Sequence, residues 1–189
     1  MDVLLIVMLT LLNGVFAMSE MAIAASRKAR LTAMQAAGDH GAHAALRLMA
    51  QPTRFLSTVQ IGITSIGVLN GIVGEAAFSD DVSAWLVTQG ISGNMAEGLA
   101  TACVVSLITF VTIVFGELVP KRIGQLYPES VARISAPFML ALATLAKPFV
   151  QLLSTSTTAV LQLLRVDVHR SQTVTEEEIS ASLVEGVDA

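Results

Sequence analysis

From Leu99 to Phe115 the chain has no charged residue, and the run LATACVVSLITFVTIVF leads straight into Gly116-Glu117-Leu118-Val119-Pro120-Lys121. So long an apolar run is stable as a helix across a bilayer, where each backbone N–H and C=O finds its partner within the segment. Glu117 then comes before any water-facing loop has begun. A charge at membrane depth costs about 2.5–3.5 kcal/mol on insertion scales, so its presence points to function. Pro120 has no N–H, so the carbonyl four residues back, that of Gly116, loses its helical partner. A carboxylate and a freed carbonyl are both hard oxygen donors of the kind Mg2+ and Ca2+ prefer.

Two more segments read the same way. Residues 3–25 (VLLIVMLTLLNGVFAMSEMAIAA) form a first span, interrupted by Asn13, Ser19 and Glu20 and stopped by Ser26-Arg27-Lys28-Ala29-Arg30. Asp2 stands where a signal peptide would carry basic residues, so this segment is expected to be retained. Residues 55–78 form a second span containing GITSIGVLNGIVG, in which Gly67 and Gly71 have the GxxxG spacing that favours close helix approach. With the run 99–119 this makes an all-α membrane protein of three spans. Only 14% of the 189 residues are charged, against about 25% in soluble domains, and mean hydropathy is +0.69. The lone Cys103 excludes an internal disulfide and reads as a buried small hydrophobe.

Residues 27–54 and 128–164 are expected to form juxtamembrane or interfacial amphipathic helices, the first region broken at Gly38 and Gly41. The stretch 134–164 is apolar enough for a fourth span, but Pro137 and Lys147-Pro148 divide it, and re-entrant or interfacial helices are the preferred reading. Residues 79–98 read as a loop without Lys or Arg, whereas Arg27, Lys28 and Arg30 follow the first span, Arg54 precedes the second and Lys121-Arg122 follow the third. The positive-inside rule then places the N-terminus outside and the C-terminus in the cytoplasm. Thr175-Glu176-Glu177-Glu178 has the form of a capping box opening a solvated acidic helix, a connector over 169–189.

Each span offers polar groups. Ser19 and Glu20 lie on the first, Ser65 and Asn70 on the second, and Gly116 and Glu117 on the third, with Thr109 and Thr112 on the same face as Gly116. Asn13 and Glu20 are seven residues apart and face one way. On a regular helix Ser65 and Asn70 diverge by roughly 140°, and converge only if the glycine-rich stretch unwinds. Hydroxyl, amide, carboxylate and carbonyl oxygens without His or Cys suit Mg2+, Ca2+ or Na+ rather than zinc or copper. Glu117 has a second reading as the partner of Lys121. No histidine lies in a span, which argues against an intramembrane hydrolase, and the chain is expected not to be an enzyme.

The motifs NGVFAMSEMAIAASRKARL, VQIGITSIGVLNG and FGELVPK, in this order, resemble the membrane domain of the CNNM/CorC family of magnesium transporters. The resemblance covers residues 2 to about 150, and TVTEEEISASLVEG is similar to that family's acidic connector. It implies a homodimer of three-span protomers in the plasma (inner) membrane. It implies Mg2+ export, thought to be coupled to Na+ entry. The implied metal ligands are Ser19, Ser65, Asn70, the Gly116 carbonyl and Glu117, with a carbonyl near Ala17. Glu20, Asn13, Thr112, Pro120 and Lys121 would stand behind these or at the entrance. The family's CBS domains, which bind ATP–Mg2+, are absent from these 189 residues, so the connector at 169–189 would lead to them and ATP would act only through them. A passive divalent-cation channel and a non-transporting dimeric anchor are the rival expectations.

Overall fold

The computed structural model describes residues 1–164. Eight α-helices cover them: α1 Asp2–Ala25, α2 Lys28–Ala36, α3 His40–Met49, α4 Pro52–Thr88, α5 Gly93–Ile113, α6 Val119–Leu126, α7 Pro128–Leu145 and α8 Lys147–Leu163. A π turn, Val114–Leu118, joins α5 to α6, so that Gly93–Leu126 is one span. Among the described residues three helices are long and apolar enough to cross a membrane, with mean hydropathies of 2.0, 1.5 and 2.3 over an 18-residue stretch of each. The acidic connector, its capping box and the boundary at 168 lie outside the described residues.

The second and third spans are longer than their apolar cores. At about 1.5 Å per residue, the 37 residues of α4 reach well beyond a hydrocarbon layer about 30 Å thick. The expected loop over 79–98 shrinks to residues 89–92, because Asp80 and Asp81 are tolerated on a helix that has already left the membrane. Gly90, at φ 88°, makes that turn. The glycine-rich part of α4 stays regular helix, and nothing lies within 4 Å of where a Cβ on Gly67 or Gly71 would stand. Cys103 is exposed on α5 rather than buried: the third span turns much of its surface outward, where a small apolar side chain meets lipid.

Two compact units follow one another in sequence, the first over residues 1–147 and the second from 148 onward. In the first, α1 packs against α4, α6 and α7, and α4 against α5. The main apolar core joins Ile23, Leu31, Phe55, Val59 and Met139, with alanines where helices approach closely. Gly124 allows one such close approach, since a Cβ there would stand 2.5 Å from the Met18 carbonyl oxygen. In the second unit, α8 carries the hydroxyl run Ser154–Thr158. Thr155, Ser156, Thr157 and Thr158 each donate to the carbonyl four residues back. Such bonds satisfy hydroxyls within an apolar helix.

One end of the first unit is held together by polar ties. Gly38, at φ 92°, ends α2: its N–H meets Gln35 O and the Asp39 N–H meets Met34 O, the paired bonds of a Schellman motif. Asp39 then caps α3, accepting from the N–H groups of Gly41 and Ala42 at 2.8 and 3.0 Å, and pairs with Arg133 of α7 at 3.1 Å. Glu129, in the first turn of α7, accepts from Arg30 and from the Arg27 N–H. Arg54 donates to the Ala143 carbonyl. Pro137 does not break α7. The carbonyl it leaves without a donor, that of Arg133, has Gly41 of α3 against it so closely that a side chain there would collide.

The Ala42 N–H chiefly, with Arg133 and the Gly41 N–H, holds the Asp39 carboxyl below its ordinary value of 3.8, against an opposing effect of burial. A depressed folded-state pKa contributes stability above the unfolded value that is lost as pH falls through the folded one. The thermal midpoint of the wild-type protein should therefore hold steady from neutrality to about pH 4 and decline below it. Asp39→Asn should start from a lower midpoint and show a shallower acid decline. Parallel curves for the two proteins would rule out this role for Asp39.

Candidate functional site

The three spans meet at Asn70. Its side chain is fully buried, and its Nδ2 donates to Thr10 Oγ1 of α1 and Thr112 Oγ1 of α5, both at 2.9 Å. Nearby, Asn13 Nδ2 donates to the Gly116 carbonyl at 2.9 Å. Local structure explains the second bond. The chain absorbs the missing Pro120 N–H by widening into the π turn, where the Val119 N–H reaches back to Val114 O. The Gly116 carbonyl is then satisfied by a side chain from another helix. Gly116 keeps this approach close, since a Cβ would stand a tight 3.2 Å from both Asn13 Nδ2 and the Thr10 carbonyl.

Both amides are half used. Asn13 Oδ1 and Asn70 Oδ1 are buried with no donor among the described residues. Interhelical side-chain hydrogen bonds in membranes contribute about 0.6 kcal/mol each, whereas an unmet buried acceptor costs about 1–3 kcal/mol. Asn70 is thus poor value as helix glue alone, and its free oxygen favours a ligand with positive charge or a hydrogen to give. A cavity of about 170 Å³ lies beside these groups, lined among others by Asn13, Gly67, Gly71, Thr109, Thr112 and Glu117. The two glycines shape its α4 wall by having no side chain to fill it.

A second cluster lies one turn further along the third span. Lys121 Nζ is 2.7 Å from Glu117 and 3.5 Å from Glu20 of α1. Two carboxylates thus share one ammonium, leaving one negative charge over. Glu117 belongs to both clusters, lining the cavity and pairing with Lys121.

The residues singled out in the sequence fall into three sets. Asn13, Asn70, Thr112 and Gly116 come together, as do Glu20, Glu117 and Lys121. Pro120 is buried, its ring beside Gly14. Ser19 is fully buried but donates to its own helix, at the Val15 carbonyl. Ala17 is also buried, and α1 is regular around it, so its carbonyl belongs to the helical ladder. Ser65 is exposed, on a different side of α4 from Asn70, because α4 does not unwind. Thr10 was not among the sequence candidates. Its position three residues before Asn13, on the same face, is the signal that could have found it. Among the described residues no three His, Cys, Asp or Glu side chains are grouped to hold a metal. The oxygen donors on offer are amide, hydroxyl, carbonyl and one carboxylate.

The cyclin M transmembrane N-terminal domain family (CNNM) matches residues 4–188. The chain belongs to the CNNM family. It is 40% identical over 189 residues to UPF0053 protein sll0260 of Synechocystis, covering all of this chain and 42% of the relative. It is 35% identical over 142 residues to the polyamine export protein of Escherichia coli K12, covering 75% of this chain and 32% of the relative. The polyamine export protein of Haemophilus influenzae is 31% identical over 187 residues, 99% of this chain and 43% of the relative. This CNNM chain thus spans less than half the length of these curated relatives.

The Asn13 bond and Pro120 compensate for one another. Asn13→Val should lower stability by about 1–3 kcal/mol through the unmet Gly116 carbonyl. Pro120→Ala restores a backbone N–H there, so in the double variant the loss should be distinctly smaller than in Asn13→Val alone. Additive losses in a thermal or denaturant double-mutant cycle would show that the two act independently.

Proposed function

We propose that this CNNM domain is the membrane part of a cation exporter whose cargo is Mg2+, driven by Na+ entry. The observation that carries this reading is the pair of buried, donorless amide oxygens on Asn13 and Asn70, with Asn13 lining a cavity that Thr109, Thr112 and Glu117 also reach. Mg2+ asks for six oxygens at about 2.0–2.1 Å and gives up water reluctantly. Asn70 and Glu117 would be protein ligands, with the Gly116 carbonyl and the hydroxyls of Ser19 and Ser65 joining when the spans shift. For Ser65 that shift has to be a rotation or unwinding of α4. Binding would loosen the Lys121–Glu117 pair, leaving Lys121 to Glu20.

The reading extends to a homodimer in the plasma membrane with its basic end in the cytoplasm. Arg27, Lys28, Arg30, Lys121 and Arg122 all cluster at that end, and the turn at 89–92 has none. The open faces of Gly67 and Gly71 suit close contact with a second copy.

A second reading has an observation of its own. Lys121 is a primary alkylammonium seated between Glu20 and Glu117, and the amine of a polyamine has the same chemistry. Two of the relatives above carry the name polyamine export protein. In this reading the cargo's ammonium displaces Lys121 from the carboxylate pair.

Liposomes holding a trapped Mg2+ dye separate these readings. Wild-type protein with an opposing Na+ gradient should move Mg2+, and Glu117→Gln or Asn70→Ala should reduce the flux at least tenfold with the fold retained. Wild-type flux in either variant would overturn the site. Flux without the gradient would mark a passive channel. Spermidine flux without Mg2+ flux would establish the polyamine reading, and no flux of either would leave a membrane anchor.

A further inference from the structure

At the polar end of the first unit, a small cavity of about 50 Å³ lies between α3, the start of α4 and the end of α7. Arg47, Gln51, Arg54 and Thr144 give it a polar side, with no acidic residue in the lining. Arg54 is held in place: its Nη1 donates to Gln51 Oε1 at 3.2 Å and its Nη2 to the Ala143 carbonyl at 2.9 Å. Its Nε is buried without a partner, and neither Arg47 nor Arg54 has an ion pair among the described residues. A guanidinium has five N–H donors, so three of those on Arg54 remain unused. A fixed, uncompensated guanidinium with a second one nearby calls for an anion that accepts several hydrogen bonds, and phosphate does so with matching geometry.

The other wall identifies which phosphate. Leu48 and Phe55 line this cavity and also line a second one, of about 160 Å³. The rest of that second lining is Ile23, Ala24, Met49, Pro52 and Leu56, wholly apolar. A charged cavity and a larger apolar one flank the same two side chains, where α4 enters its span. Free phosphate would use only the first, whereas a phospholipid would use both. We propose that this junction binds one anionic phospholipid, its phosphate held by Arg47 and Arg54 and part of its glycerol–acyl region against Ile23, Met49 and Leu56. Basic pockets between membrane helices recognise headgroups in this way. The lipid would tie α3 to the start of α4 and the end of α7.

The test uses the whole 189-residue protein in neutral detergent, with thermal unfolding and native mass spectrometry as readouts. The probes are phosphatidylglycerol, phosphatidylcholine with the same acyl chains, and inorganic phosphate. Phosphatidylglycerol should raise the wild-type midpoint by several degrees and remain bound at one copy per protomer. The shift should vanish in Arg47→Gln and Arg54→Gln. It should also fall in Ala24→Phe, which fills the apolar cavity without touching either arginine. Lys28→Gln, at an exposed basic residue outside both cavities, should keep the full shift. Should Arg54→Gln fail to fold, Arg47→Gln and Ala24→Phe still decide. An equal shift with phosphatidylcholine, an equal loss in Lys28→Gln, or an equal shift with inorganic phosphate would each overturn the proposal.

Discussion

A carbonyl that its own helix cannot satisfy governs how the spans fit together. Pro120 removes the donor that Gly116 would have had, and a bare carbonyl inside a membrane is costly enough to demand another. The answer comes from α1, through Asn13. That bond sets the register of the first span against the third, and with it the approach of Thr10 to Asn70 and of Glu20 to Lys121. Pro137 poses the same problem in α7, where Gly41 brings the start of α3 against the exposed carbonyl of Arg133. In both places a proline makes a helix sticky at one chosen point, and a residue on a neighbouring helix is shaped to meet it.

The spans were legible because uncharged runs of that length admit few folds. So was the importance of Gly116-Glu117 and Pro120, since a charge and a missing N–H at membrane depth stand out in any sequence. The partner of the freed carbonyl was not legible. Sequence spacing tells which residues share a face of one helix, but not which face of another helix they meet, and Asn13 reaches Gly116 across more than a hundred positions. Helix ends were misjudged for a related reason. Asp80 and Asp81 read as a loop, yet a helix that has passed the hydrocarbon can carry carboxylates without cost. Glycines at 62, 67, 71 and 74 suggested an unwound helix, but hydrocarbon penalises unwinding more than it penalises glycine. Ser65 therefore points elsewhere than Asn70.

The two polar clusters divide the electrostatics of the domain. The amides and hydroxyls around Asn70 are neutral, so they can compensate a cation's lost water only through dipoles. The Glu20–Lys121–Glu117 group holds the charge and already contains a cation of its own. Any incoming ion has to compete with a tethered ammonium whose local concentration is high. If the domain carries a cation as proposed, a divalent ion would gain roughly twice the Coulomb attraction of a monovalent one at the same distance, and the arrangement would discriminate by charge before size.

The π turn at Val114–Leu118 is one residue too many wound into an otherwise regular rod. Were that surplus residue to travel along the helix, everything it passed would turn by about 100° relative to what lay behind it. Thr112 stands just before the turn, Glu117 within it and Lys121 after it. The angle at which carboxylate and hydroxyl view one another is therefore a matter of winding number. Two uncharged residues, Pro120 and Asn13, hold the count where it is.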